Sequence, residues 1–130
     1  MLAGAILVGR AALADRYLNE GRDVLAPDPA EAIAKARDSR ELNDEALDAY
    51  YLESAGWARL GDYRRARAAL AEATRREPHD FVTWALLGDL ATRRGDNRQA
   101  LRDYRRALSL NPRNQDLVGL IRQVRTRSTP

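Results

Sequence analysis

Between Gly95-Asp96 and Asn111-Pro112, apolar side chains at Ala100, Tyr104, Ala107 and Leu108 recur at the spacing of one helix face, with arginines between them. Residues 61–78, GDYRRARAALAEATRREP, carry the same design, with Ala66, Leu70 and Ala73 on the apolar side. Further on, Leu117, Leu120, Ile121 and Val124 stand at i, i+3, i+4 and i+7, and Arg122, Arg125 and Arg127 oppose them. The pattern predicts seven helices, near residues 3–23, 29–42, 46–60, 63–76, 80–94, 97–110 and 114–126.

The polar residues between these stretches act as punctuation. Gly61 and Gly95 fall where a helix ends in a left-handed residue, a conformation nearly free for glycine. Asp28, Asp62 and Asp96 come next, where a carboxylate caps free amides at the positive end of the helix dipole. Asp28 to Glu31 and Asp96 to Gln99 have capping-box spacing, and Pro29 takes the first helical position. Pro78 and Pro112 stop the helices that precede them. A shift of 34 residues superposes Gly61-Asp62 on Gly95-Asp96, Ala66 on Ala100, Ala73 on Ala107 and Pro78 on Pro112. A second shift brings in Asp28, Ala32 and Ser39. The implied units are residues 13–46, 47–80 and 81–114, followed by a capping helix over 115–127, all in one domain spanning 1–130. Small residues at Ser54, Gly88, Ala66, Ala100, Ala73 and Ala107 let paired helices approach closely, while Trp84, Leu87, Leu101, Tyr104 and Leu108 fill the space around them. One such hairpin cannot bury its apolar side alone, so neighbours must stack.

This pattern resembles the tetratricopeptide repeat. Residues 81–114 carry it most fully, with Trp84, Leu87-Gly88, Ala100, Tyr104, Ala107 and Pro112. Residues 47–80 carry Tyr50, Ser54, Trp57, Ala66, Leu70, Ala73 and Pro78, and residues 13–46 are degenerate, with Pro27 where glycine is expected. The resemblance implies an all-α, right-handed superhelical solenoid whose first helices line a concave groove. Its groove positions fall on Asp48, Tyr51, Ala55, Ala58 and Arg59 of the second unit and on Val82, Ala85, Asp89, Thr92 and Arg93 of the third. Tyr17 extends that row and Arg113 closes one end. Tyrosine and arginine are frequent interface anchors. The carboxylate clamp by which some family members hold chaperone tails needs Lys, Asn and Arg. Its positions here hold Tyr17, Gly21, Leu52, Val82 and Leu86, so chaperone-tail binding is disfavoured.

Composition narrows the chemistry. The chain is rich in Ala, Leu and Arg, which favours helix. It has no cysteine, so disulfides and thiolate metal sites are excluded. His79, the only histidine, follows Pro78 in a turn and has no second His or Cys to complete a zinc site. The serines lack a nucleophile-elbow context, and no phosphate-cradling glycine motif is present. The expectation is a chain that is not an enzyme, with no catalytic residue, cofactor or metal: an interaction scaffold for a peptide or protein segment.

Charge and the first residues suggest alternatives. Residues 1–63 hold 7 Lys/Arg against 12 Asp/Glu, net −5, and residues 64–130 hold 15 against 7, net +8. Arginine-dependent nucleic-acid binding is therefore weighed, with steep loss of affinity in salt as its mark. It is disfavoured, because the arginine pairs lie mainly on or beside second helices, which face the convex exterior in the resembled fold. The opening MLAGAILVG is shorter than the about 20 residues that span a bilayer. Leu2, Ile6, Leu7 and Val8 nevertheless need cover. A homodimer through this end would supply it, as would a missing upstream segment. In the second case the chain is the tail of a membrane-embedded glycan polymerase or ligase of the O-antigen type, to whose tetratricopeptide tails the layout is similar. The sequence does not name the compartment; the cytoplasm is favoured, or membrane attachment if the chain is a fragment.

Overall fold

The computed structural model describes the backbone of residues 2–129 and the side chains of residues 4–129. Leu2, counted above with the apolar start, lies outside the described side chains. All regular structure among the described residues is helical: α1 (Leu2–Val24), α2 (Pro29–Leu42), α3 (Leu47–Arg59), α4 (Tyr63–Arg76), α5 (Phe81–Arg93), α6 (Asn97–Leu110) and α7 (Gln115–Ser128). The predicted limits of α3 and α5 each lose a residue at both ends, because Ala46, Leu60, Asp80 and Arg94 are caps rather than helix.

The turns follow from the aspartates and two glycines. Gly61 and Gly95 have φ of +79° and +80°, the left-handed region in which a side chain is strained. The amide of Asp62 then donates to the Trp57 carbonyl and that of Asp96 to the Ala91 carbonyl, both at 2.9 Å, the six-to-one bond of a Schellman turn. The carboxylates of Asp28, Asp62 and Asp96 accept from the amides of Glu31, Arg65 and Gln99 at 3.0, 2.9 and 3.0 Å. The expected capping boxes form only by half. Each aspartate's own N–H is already spent on the preceding helix, so Glu31 turns toward Lys35 and Gln99 donates to Asp103. Where Pro27 replaces glycine, the six-to-one bond gives way to a five-to-one bond from the Asp28 amide to the Val24 carbonyl, 2.8 Å.

The chain packs as two compact units, Met1–Ala69 and Leu70–Pro130. In the first, α2 lies against α1 and α3, and Leu18, Ala32, Ala36, Ala49 and Leu52 form the core. In the second, α6 lies between α5 and α7 around Ala91, Ala100, Tyr104, Ala107, Leu117, Ile121 and Val124. Alanines fully shielded from solvent in both cores reflect backbones brought close together.

Candidate functional site

In the second unit, α5 and α6 meet at Gly88. A Cβ there would stand 2.5 Å from Cδ1 and Cε1 of Tyr104, so the ring occupies the space that glycine leaves. The buried phenol reaches through the hairpin and donates to Oδ1 of Asp89 at 2.6 Å, with the Thr92 hydroxyl 3.3 Å away. Burial, and then the bond donated to Asp89, push the Tyr104 phenol up to about 12. The raised value has a definite sign. Unfolded tyrosine ionises near pH 10 while the folded chain keeps the proton, so this contribution is complete below about pH 10 and is lost towards about pH 12. We expect stability to fall by roughly 1 kcal/mol per pH unit in that window, and Tyr104→Phe to flatten the slope. Urea midpoints measured against pH for the two proteins check this.

The groove positions expected on α5 are met unequally. Val82 is exposed, at 38%, and Arg93 is exposed with no acidic partner among the described residues. Ala85 packs against the core of the unit. Asp89 is half-buried and committed through Oδ1 to Tyr104, so it positions the hairpin. Arg113, in the turn before α7, is exposed.

In the first unit, Arg59 of α3 repeats the situation of Arg93, exposed and without an acidic partner among the described residues. Asp48 pairs with Arg22 of α1 at 2.8 Å, and both side chains stay about half exposed. Tyr51 and Ala55 are half-buried on the same helix. Tyr17 of α1 lies under the Lys35 ammonium, 5.3 Å from its ring centroid, and Lys35 in turn pairs with Glu20 at 2.9 Å. Gly21 and Leu52, two of the clamp positions, are buried: a Cβ on Gly21 would meet Leu52 Cδ2 at 2.6 Å. They are core positions and present nothing to a ligand.

Sequence reasoning missed an ionic cluster in this unit. Glu53 of α3 is 6% exposed and binds Arg37 Nε at 3.2 Å and Arg40 Nη1. Trp57 Nε1 donates to the same carboxylate at 3.5 Å. Arg40 stacks on Tyr50 at 4.5 Å, and Arg65 from the first turn of α4 stacks on Trp57 at 4.7 Å. The available signal was a glutamate set between Tyr50 and Trp57 on an apolar stripe, facing arginines three apart on α2. His79 is exposed in its turn, and no three His, Cys, Asp or Glu stand together as a metal group among the described residues.

Residues 28–121 match the tetratricopeptide repeat family over most of the chain. The chain belongs to that family. The tetratricopeptide fold also recurs in solved structures at low identity. The first such domain of Spaghetti (RPAP3), bound to the HSP90 peptide SRMEEVD, superposes with TM-score 0.76 at 16% identity, over 90% of this chain and 94% of that one. The Arabidopsis OM64 domain gives 0.73 at 16%, over 90% and 98%. A thermophilic member from Thermus thermophilus gives 0.71 at 22%, over 91% and 63%. Against curated proteins the sequence matches none. The fold class is thus all-α, a tetratricopeptide solenoid. The three neighbours speak for the fold alone.

Proposed function

We propose that this tetratricopeptide chain is a non-catalytic scaffold that holds a peptide or protein segment on the exposed faces of its first helices. The observation carrying the reading is the register pair Arg59 and Arg93. They stand 34 residues apart at the same position of α3 and α5, both exposed, and neither is spent on an acidic side chain among the described residues. On each helix taken by itself, a guanidinium group without an acidic partner near the C-terminal end and an apolar or aromatic side chain nearer the N-terminal end, Tyr51 on α3 and Val82 on α5, suit a segment that carries both carboxylates and apolar side chains. Tyr17, Asp48, Ala55, Ala85, Asp89 and Arg113 complete the proposed contact set. The peptide seen on the RPAP3 domain supports a peptide partner in general, while the absent clamp residues argue against that particular tail.

Selecting binders from a displayed 12-residue peptide library tests the reading. Selected peptides should lose at least tenfold in affinity on Val82→Glu with Arg93→Glu, or on Tyr51→Ala with Arg59→Glu, in variants of unchanged melting temperature. Equal binding to wild type and both variants would remove these faces from consideration.

A second reading concerns α1, where Ile6, Leu7 and Val8 are 62%, 67% and 71% exposed. That apolar surface favours attachment, either to a second copy or to a membrane protein of the glycan polymerase or ligase type. No helix among the described residues is long and apolar enough to cross a membrane itself. Light scattering separates the alternatives: a dimer that Leu7→Lys dissociates supports the homodimer, and a monomer at all concentrations leaves only the other.

A further inference from the structure

The face of α6 and α7 carries a cavity of about 330 Å3 floored by Leu108, Val118 and Ile121 and rimmed by Arg105, Arg122 and Arg125. None of the three guanidinium groups meets a carboxylate among the described residues. We propose that this face is a docking site for an amphipathic helix of a partner protein, one that lays an apolar ridge on the floor and places carboxylates against the three arginines. The site is separate from the first-helix faces discussed above.

The repeat register relates this face to an earlier one. Moving back by two periods, 68 residues, carries Arg105 to Arg37, Leu108 to Arg40, Val118 to Tyr50, Ile121 to Glu53 and Arg125 to Trp57. That earlier face, on α2 and α3, receives a side chain of a third helix: Arg65 of α4 lies over the Trp57 ring. In the first unit the same pair of helices is thus met by a residue from the first turn of a third helix. At α6 and α7 the chemistry is altered in a consistent way. Glu53, which neutralises Arg37 and Arg40, is replaced by Ile121, so Arg105 has lost its carboxylate. Trp57, which receives a cation from α4, is replaced by Arg125. An occupant at Arg65's place must accordingly be acidic where α4 is basic. The floor is apolar where the earlier face is ionic, so the occupant must also carry aliphatic side chains at i, i+3 and i+4. A terminal helix that only capped the array would turn a polar face to water; α7 here leaves Val118 partly exposed between Arg122 and Arg125.

A labelled 16-residue helical peptide with Leu and Ala at i, i+3, i+4 and i+7 and Glu on both flanks serves as the probe, with Gln-flanked and Lys-flanked versions beside it. Fluorescence anisotropy with the full chain should show the Glu peptide binding at least tenfold more tightly than the Gln peptide, with affinity falling as salt rises. Arg122→Glu with Arg125→Glu, both at exposed positions, should abolish that binding and favour the Lys peptide instead. Val118→Glu should weaken the Glu peptide at least tenfold, with thermal unfolding followed to show that the chain remains folded. Equal binding of Glu and Gln peptides, or survival of binding in the double arginine variant, overturns the proposal. So does dodecanoate binding with the same arginine dependence while the Glu peptide does not bind, which would assign the cavity to a small amphiphile. Self-association that the arginine variants disrupt, without Glu-peptide binding, would assign it to a second copy and overturn it equally.

Discussion

Replacing Arg37 and Arg40 together by alanine is expected to destabilise the first unit by about 3–5 kcal/mol, the cost of leaving a buried charge without its partner. The asymmetry of exposure decides which partner matters. Glu53's side chain is 8% exposed, whereas those of Arg37 and Arg40 are 56% and 32% exposed. Without the arginines the carboxylate keeps only the long bond from Trp57 and stays largely buried. Without the carboxylate, the arginines can still turn outward, so Glu53→Leu alone should cost about 1–2 kcal/mol. Adding Glu53→Leu to the double arginine variant should recover most of the loss, since an apolar replacement of the whole cluster leaves nothing unpaired. Urea unfolding followed by circular dichroism measures all three proteins. A double variant within about 1 kcal/mol of wild type would mean that the cluster behaves like an exposed ion pair.

Legibility of the sequence tracked how local each interaction is. The limits of α2, α4 and α6 follow from residues within one turn of each helix end: aspartates before all three, and prolines after α4 and α6. Such signals survive without knowledge of the fold. The half-formed capping boxes were not legible, because the amide that should complete each box is claimed by the previous helix. The Glu53 cluster depends on α2 and α3 lying side by side, so a pattern that averages each helix separately reads Glu53 as one more surface acid. Among the candidate contact residues, position on the helix was readable and commitment was not. Nothing near Asp89 in the chain announces that Tyr104, 15 residues away, will hold one of its oxygens. The cavity on α6 and α7 became readable only once the earlier face two periods back showed what the register expects there.

That hold on Asp89 leaves Gly88 no room for a side chain, unlike Gly95 and Gly119. Gly88→Val is expected to cost about 3 kcal/mol through overpacking, even though a helix interior ordinarily gains by losing a glycine. The new Cβ would meet three atoms of the Tyr104 ring, at 2.5, 2.5 and 2.9 Å. A ring free to swing would yield cheaply, but this one is anchored at both ends. Its body is buried in the α6 core and its hydroxyl is bonded to Asp89 one residue along from the clash. Yielding therefore means parting α5 from α6 or breaking the bond to Asp89, and either disturbs the α5 face proposed to meet a partner. Tyr104→Leu removes the ring and leaves a cavity, costing about 2–4 kcal/mol alone. Combined with Gly88→Val, the isopropyl group should refill part of that space, so the double variant should be more stable than the sum of its parts by about 1–2 kcal/mol. Thermal and urea unfolding of the four proteins close the cycle. Strict additivity would mean that the helices slide apart without resistance, and that the contact between Gly88 and Tyr104 does not set the spacing of this hairpin.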